Sequence, residues 1–144
     1  MRMKIEYPAL IMSKCHVHGG VKNYRELARC GVMNLENGAF IGWKIYDSKG
    51  CIFVIKAAKK GKLTNPLNPF NIFKEYRGTV AELEYEMSDT IDFNGLKEII
   101  YDTFMSKKLD GAPFDNKDKE IKAYLNEFKD IKEIVTGLGY FSYK

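Results

Sequence analysis

The chain has 144 residues, 45% of them hydrophobic and 29% charged, which points to one globular domain with its own core and makes no compositional case for disorder. The net charge of +4 is unevenly spread: residues 1–41 carry six basic and three acidic groups, 42–77 eight and two, and 78–144 nine and fourteen. No apolar run approaches the roughly 20 residues of a membrane span, MRMKIEYPAL has no signal-peptide core, and Cys15, Cys30 and Cys51 read as reduced thiols, so a cytoplasmic location is expected.

Residues 3–14, MKIEYPALIMSK, are strand-like, but Pro8 cannot donate to a ladder, so the strand is expected at an edge or broken there. Cys15-His16-Val17-His18-Gly19-Gly20 reads as a turn or loop. His16 and His18 are the only histidines, and a transition metal wants three or four ligands at fixed geometry. No second Cys/His cluster completes such a set, so ordinary loop histidines are expected and no metal site.

Glu26 to Ala58 reads as three consecutive antiparallel strands. Asn37-Gly38 between two apolar runs predicts a type I′ hairpin turn, pairing Glu36 with Ala39, Asn34 with Ile41, Val32 with Trp43 and Cys30 with Ile45. Asp47-Ser48-Lys49-Gly50 turns the chain again into CIFVIKAA, apolar throughout and therefore a central strand.

Residues 56–77, KAAKKGKLTNPLNPFNIFKEYR, are broken by Asn65-Pro66 and Asn68-Pro69 and read as a long basic and aromatic loop. Structureless loops beyond roughly 12–15 residues are usually functional or disordered. Lys56, Lys59, Lys60, Lys62, Lys74 and Arg77 can neutralise phosphates, while Phe70, Phe73 and Tyr76 can stack on unpaired bases. The same aromatics could instead anchor the loop on the core, leaving the lysines solvated. TVAELEYEM, residues 79–87, alternates as a further strand, with Ala81, Leu83 and Tyr85 on one face and Glu82, Glu84 and Glu86 on the other. A nucleic-acid groove would have to avoid that acidic row.

A helix is expected over about 92–108, capped from Ser88–Asp92 and carrying Leu96, Ile99, Ile100 and Phe104 on one stripe. A second spans about 116–136, where Ile121, Tyr124, Leu125, Phe128, Ile131 and Val135 form a core stripe or, alternatively, a partner or dimer interface. No phosphate-cradling glycine motif, nucleophile elbow or HExxH helix is present, so no catalytic residue, cofactor or metal is assigned.

Residues 39–62, AFIGWKIYDSKGCIFVIKAAKKGK, resemble the central part of the septation-regulator SpoVG family. Gly50 matches the family's turn glycine, Ile52-Phe53-Val54 its apolar strand, and Lys59-Lys60 with Gly61 its basic segment; Lys56-Ala57-Ala58 stands where the family has a proline. The resemblance implies a small, often dimeric sheet-plus-helix protein that binds nucleic acid through Lys56, Lys59, Lys60 and Lys62.

The expected fold is a single α+β domain: an antiparallel sheet of four or five strands within about 1–87, with a meander over 26–58 and a strand over 79–87, covered on one face by two C-terminal helices. The leading functional expectation is a non-catalytic, nucleic-acid-binding regulatory protein using Lys56, Lys59, Lys60, Lys62, Phe70, Phe73, Lys74, Tyr76 and Arg77. The alternative is an inhibitor or adaptor, of the kind phages or mobile elements use against host defence, that engages a large protein through its charged surfaces.

Overall fold

Three neighbouring strands that bury both of their faces make the centre of the protein, and the rest of the chain is layered on either side. The computed structural model describes residues 4–13, 17–64, 69, 78–106 and 117–137. In chain order the elements are β1 (Ala9–Met12), β2 (Val17–Val21), α1 (Tyr24–Ala28), β3 (Arg29–Gly31), α2 (Val32–Glu36), β4 (Lys44–Asp47) and β5 (Cys51–Lys59). There follow β6 (Gly78–Val80), β7 (Glu82–Thr90), α3 (Phe93–Ser106), α4 (Lys117–Leu125) and α5 (Ile131–Gly137). Five strands form one antiparallel sheet in the order β2-β1-β4-β5-β7, and β3 and β6 form a second, two-stranded sheet. The fold is α+β with a five-stranded antiparallel sheet and C-terminal helices, as the sequence predicts.

Alternation along the central strands separates two cores. Leu10, Met12, Tyr46 and Ile52 pack with Leu96, Ile100 and Phe104 of α3, Ile121 and Leu125 of α4, and Ile134 and Val135 of α5. Ala9, Ile11, Ile45, Phe53 and Ile55 point the other way, onto Leu27 and Ala28 of α1, Leu35 of α2, and Phe40. Burying a side chain such as Phe53 or Phe104 is worth about 1.5–3 kcal/mol, so each layer contributes substantially. The second cover is the first difference from expectation, since the sequence predicts a cover only on the face under the C-terminal helices.

The other differences lie where two local patterns compete. Residues 26–36 are not the first arm of a hairpin, and the pairings expected across Asn37-Gly38 do not form. Val32 and Leu35, three apart, are both buried while Met33 is 44% exposed, so helical spacing prevails over strand alternation. Asn37-Gly38 ends α2 instead. The Gly38 N–H donates to the Leu35 carbonyl (3.2 Å) and the Ala39 N–H to the Asn34 carbonyl (3.0 Å), a Schellman closure with Gly38 at φ 86°. Cys30 pairs with Thr79 on β6, and Ile45 with both Ile11 and Phe53. At the N-terminal side, β1 is an inner strand because it starts just after Pro8, and Val17–Val21 is the strand β2 rather than a loop. The strand expected over 79–87 is divided at Ala81 between the two sheets. Tyr24 fixes this crossing: its Oη donates to the Ala81 carbonyl (2.8 Å) and accepts from the Leu83 N–H (3.0 Å). The helix expected over 116–136 is two helices, because Asp130 accepts from the Glu133 N–H (2.8 Å) and starts α5 afresh.

The expected Asp47–Gly50 turn is present and joins β4 to β5. Asp47, 1% exposed, accepts from the N–H groups of Lys49 (2.9 Å), Cys51 (2.8 Å) and Glu6 (3.2 Å). Shorter devices hold the helices. The Asn23 side chain accepts from the Glu26 N–H (2.9 Å) and Glu26 reaches back to the Lys22 N–H (2.7 Å). Asn23→Ala should therefore cost about 1 kcal/mol, read as a lower urea midpoint at unchanged slope. Tyr101 on α3 donates to the Asp118 carboxylate on α4. That bond, reinforced by Lys122, holds the Asp118 carboxyl below its ordinary range. A depressed folded-state value means this contribution is present at neutral pH and is lost as pH falls through it. Tyr101→Phe should move the Asp118 titration back up, read by carboxyl carbon NMR.

Candidate functional site

The sequence-predicted basic residues divide into three groups by position. Lys56 lies on β5, within the strand expected over CIFVIKAA, and Lys59 is on the same strand rather than on the expected loop, because β5 pairs with β7 as far as Glu82. A register shift between Ile55 and Ala57 puts Lys56 out of the ladder. Its Nζ lies 3.3 Å from Glu86, and that of Lys59 lies 3.5 Å from Glu82. Glu84 stands between those two glutamates on the same exposed face, while Leu83 and Tyr85 turn towards the core. The result is a ribbon of interleaved charge. β7 lies at the edge of the five-stranded sheet, where charged side chains are the usual guard against stray pairing. Both ion pairs are largely exposed, and such pairs contribute about 0–1 kcal/mol. The double substitution Lys56→Ala/Lys59→Ala should therefore change stability by less than about 2 kcal/mol in urea titration.

Lys60 and Lys62 follow β5 on a segment whose backbone groups are held by the Thr79 hydroxyl and the Val80 N–H. The buried Thr79 Oγ1 accepts from the Gly61 N–H (3.1 Å) and donates to the Lys62 carbonyl (3.0 Å), which also accepts from the Val80 N–H (3.1 Å). Both lysines are exposed and form no ion pair among the described residues. Phe70, Phe73, Lys74, Tyr76 and Arg77 lie outside the described residues. Of the predicted set, then, the fold brings Lys56, Lys59, Lys60 and Lys62 to one end of β5, two of them already facing carboxylates.

A concave site that the sequence reading missed lies on the α1–α2 side of the sheet. It is an open cleft of about 640 Å³ between β1, β2, α1, β3, α2 and the 37–43 loop, with His18, Arg29, Cys30, Asn34, Phe40 and Trp43 among its lining. The His18 and Trp43 rings stack with centroids 4.3 Å apart and planes 15° from parallel, and His18 Nε2 is 2.9 Å from the Ser13 hydroxyl. Phe40 meets Trp43 edge-on at 5.0 Å. Apart from Arg29 with Cys30 and Phe40 with Trp43, these residues come from separate elements, so the local trace in the sequence is the pair of glycines, Gly38 and Gly42, two residues to either side of Phe40.

Neither described cysteine is poised as a thiolate. Burial pushes the Cys30 thiol up, and burial followed by the nearby Asp47 carboxylate does the same to Cys51. Tyr7 is also pushed up, by burial and then by Tyr85 and Tyr24; its hydroxyl is buried with no hydrogen-bond partner among the described residues. Among the described residues no three His, Cys, Asp or Glu side chains cluster as a metal site, and no helix is long and apolar enough to cross a membrane. Comparison of the chain with family models, with curated proteins and with solved structures finds no match.

Proposed function

We propose that this protein is a non-catalytic adaptor or inhibitor that binds another protein through the β5–β7 ribbon. The observation that carries this reading is the interleaving of Lys56 and Lys59 with Glu82, Glu84 and Glu86 on one exposed face. A phosphate chain laid there would meet a row of carboxylates, whereas a protein surface carrying both signs can exchange partners with every member of the row. Because exposed ion pairs are weak, opening them for a partner costs little, and complementary charge supplies specificity and association rate.

A second reading has its own support. Lys60 and Lys62 are exposed, unopposed by a carboxylate among the described residues, and held on a fixed backbone, which suits contact with a nucleic-acid phosphate.

One charge reversal separates the two. With Glu82, Glu84 and Glu86 all changed to Lys, a protein captured from lysate by the parent chain in the presence of nuclease should no longer be captured. Labelled single- and double-stranded oligonucleotides should show no salt-sensitive anisotropy change with the parent chain. Oligonucleotide binding that strengthens on this reversal and disappears in Lys60→Glu/Lys62→Glu would overturn the protein-binding reading in favour of the second.

A further inference from the structure

The 640 Å³ cleft has the size of small-molecule sites, which run from roughly 300 to 1,000 Å³ and pair apolar or aromatic walls with a few placed polar groups. Its walls fit that description. The half-exposed His18–Trp43 stack gives the cleft an aromatic side, and Phe40, also in the lining, meets the indole edge-on. The backbone is bent unusually to achieve this. Gly38, Phe40 and Gly42 all take positive φ (86°, 76° and 80°), and Phe40 alone among the described non-glycine residues does so. A bulky residue in that region costs about 1–2 kcal/mol, and such strain concentrates at ligand sites, where the surroundings hold it in place. Here it positions the Phe40 ring, 3% exposed, against the indole.

The polar lining points to charge as well as shape. Arg29 is exposed at the cleft and forms no ion pair among the described residues. Glu26, the carboxylate that shares the lining, is engaged by the Lys22 N–H. The exposed Asn34 and Asn37 side chains offer amide donors and acceptors at the same rim.

We infer that this cleft binds a planar aromatic ring carrying an anionic group, with the ring against the His18–Trp43 wall and the anion at Arg29. This site is independent of the β5–β7 ribbon.

Trp43 is the only tryptophan in the chain, so its fluorescence reports on the cleft alone. The probes are adenosine monophosphate and nicotinate as ring-plus-anion compounds, with adenosine and inorganic phosphate as the separated halves. Saturable quenching is expected with the first pair, and at least about ten-fold weaker binding with either half, since a charge-assisted contact is worth that much. Arg29→Gln should weaken the ring-plus-anion compounds about ten-fold and leave adenosine unchanged. A response to only one of the two would still support the site and identify the anion as phosphate or carboxylate. His18 ring-proton shifts give a second readout, simple to assign because the chain has two histidines. No saturable change with either compound, equal binding by phosphate or adenosine alone, or an Arg29→Gln protein of unchanged urea midpoint and unchanged affinity would each overturn the inference.

Discussion

Asp47→Ala should cost about 4 kcal/mol of stability, the largest loss expected of any single change outside the hydrophobic core. The Asp47 carboxylate is almost wholly buried and accepts three backbone N–H groups, two within its own turn and one from Glu6. Truncation leaves those donors without a partner, and each buried orphan costs about 1–3 kcal/mol. The Glu6 bond matters most for architecture. Together with the Ser48 N–H and hydroxyl, both donating to the Glu6 carbonyl (3.1 and 3.0 Å), it fastens the segment leading into β1. Against a total stability of about 5–15 kcal/mol that loss removes between about a quarter and four fifths of the whole. Urea unfolding should show a much lower midpoint at unchanged slope, and Asp47→Asn, which keeps one accepting oxygen, should fall between the two. A loss below about 1 kcal/mol for Asp47→Ala would mean that water or relaxed backbone satisfies the three donors.

That turn was legible from sequence because only one local reading suits Asp-Ser-Lys-Gly between two apolar runs. The Asn37-Gly38 pair was not, because a type I′ hairpin and a helix C-terminus both ask for a left-handed glycine. The choice is made in the residues just before it, where burial of Val32, and of Leu35 onto the Ile11 and Phe53 face, favours a helical turn. A similar ambiguity hid the break before α5. Ile121, Leu125, Ile134 and Val135 are all buried, as an apolar stripe requires, yet a stripe does not reveal that Asp130 restarts the helix. The candidate surfaces follow the same rule. Alternation in ELEYE exposed the acidic row directly, but which lysines face it depends on the β5–β7 register and its shift at Lys56, and neither is a local property. The cleft was illegible for a stronger reason. His18, Arg29, Phe40 and Trp43 meet only because β2, β3 and the 37–43 loop are brought together on one side of the sheet.

Gly50→Ala should cost about 3 kcal/mol or more, through two separable terms. The residue takes φ 85°, so any side chain pays about 1–2 kcal/mol for the left-handed backbone. A Cβ there would also press on the Ile91 carbonyl oxygen, well inside contact distance. Backbone, not a flexible side chain, would have to yield, and it is backbone that joins two layers. The Ile91 N–H donates to the Gly50 carbonyl (2.7 Å), tying the β4–β5 turn to the start of α3. Gly42→Ala isolates the first term, because Gly42 has nearly the same φ of 80° and a Cβ added to it would meet nothing within 4 Å among the described residues. The two variants should therefore differ by the cost of forcing the turn away from residue 91. Hydrogen exchange should show that difference as selective loss of protection at Ile91 and the first turn of α3 in Gly50→Ala, with both retained in Gly42→Ala. Equal destabilisation of the two variants would assign the whole effect to φ and remove the Gly50–Ile91 contact as a link between the sheet and the C-terminal helices.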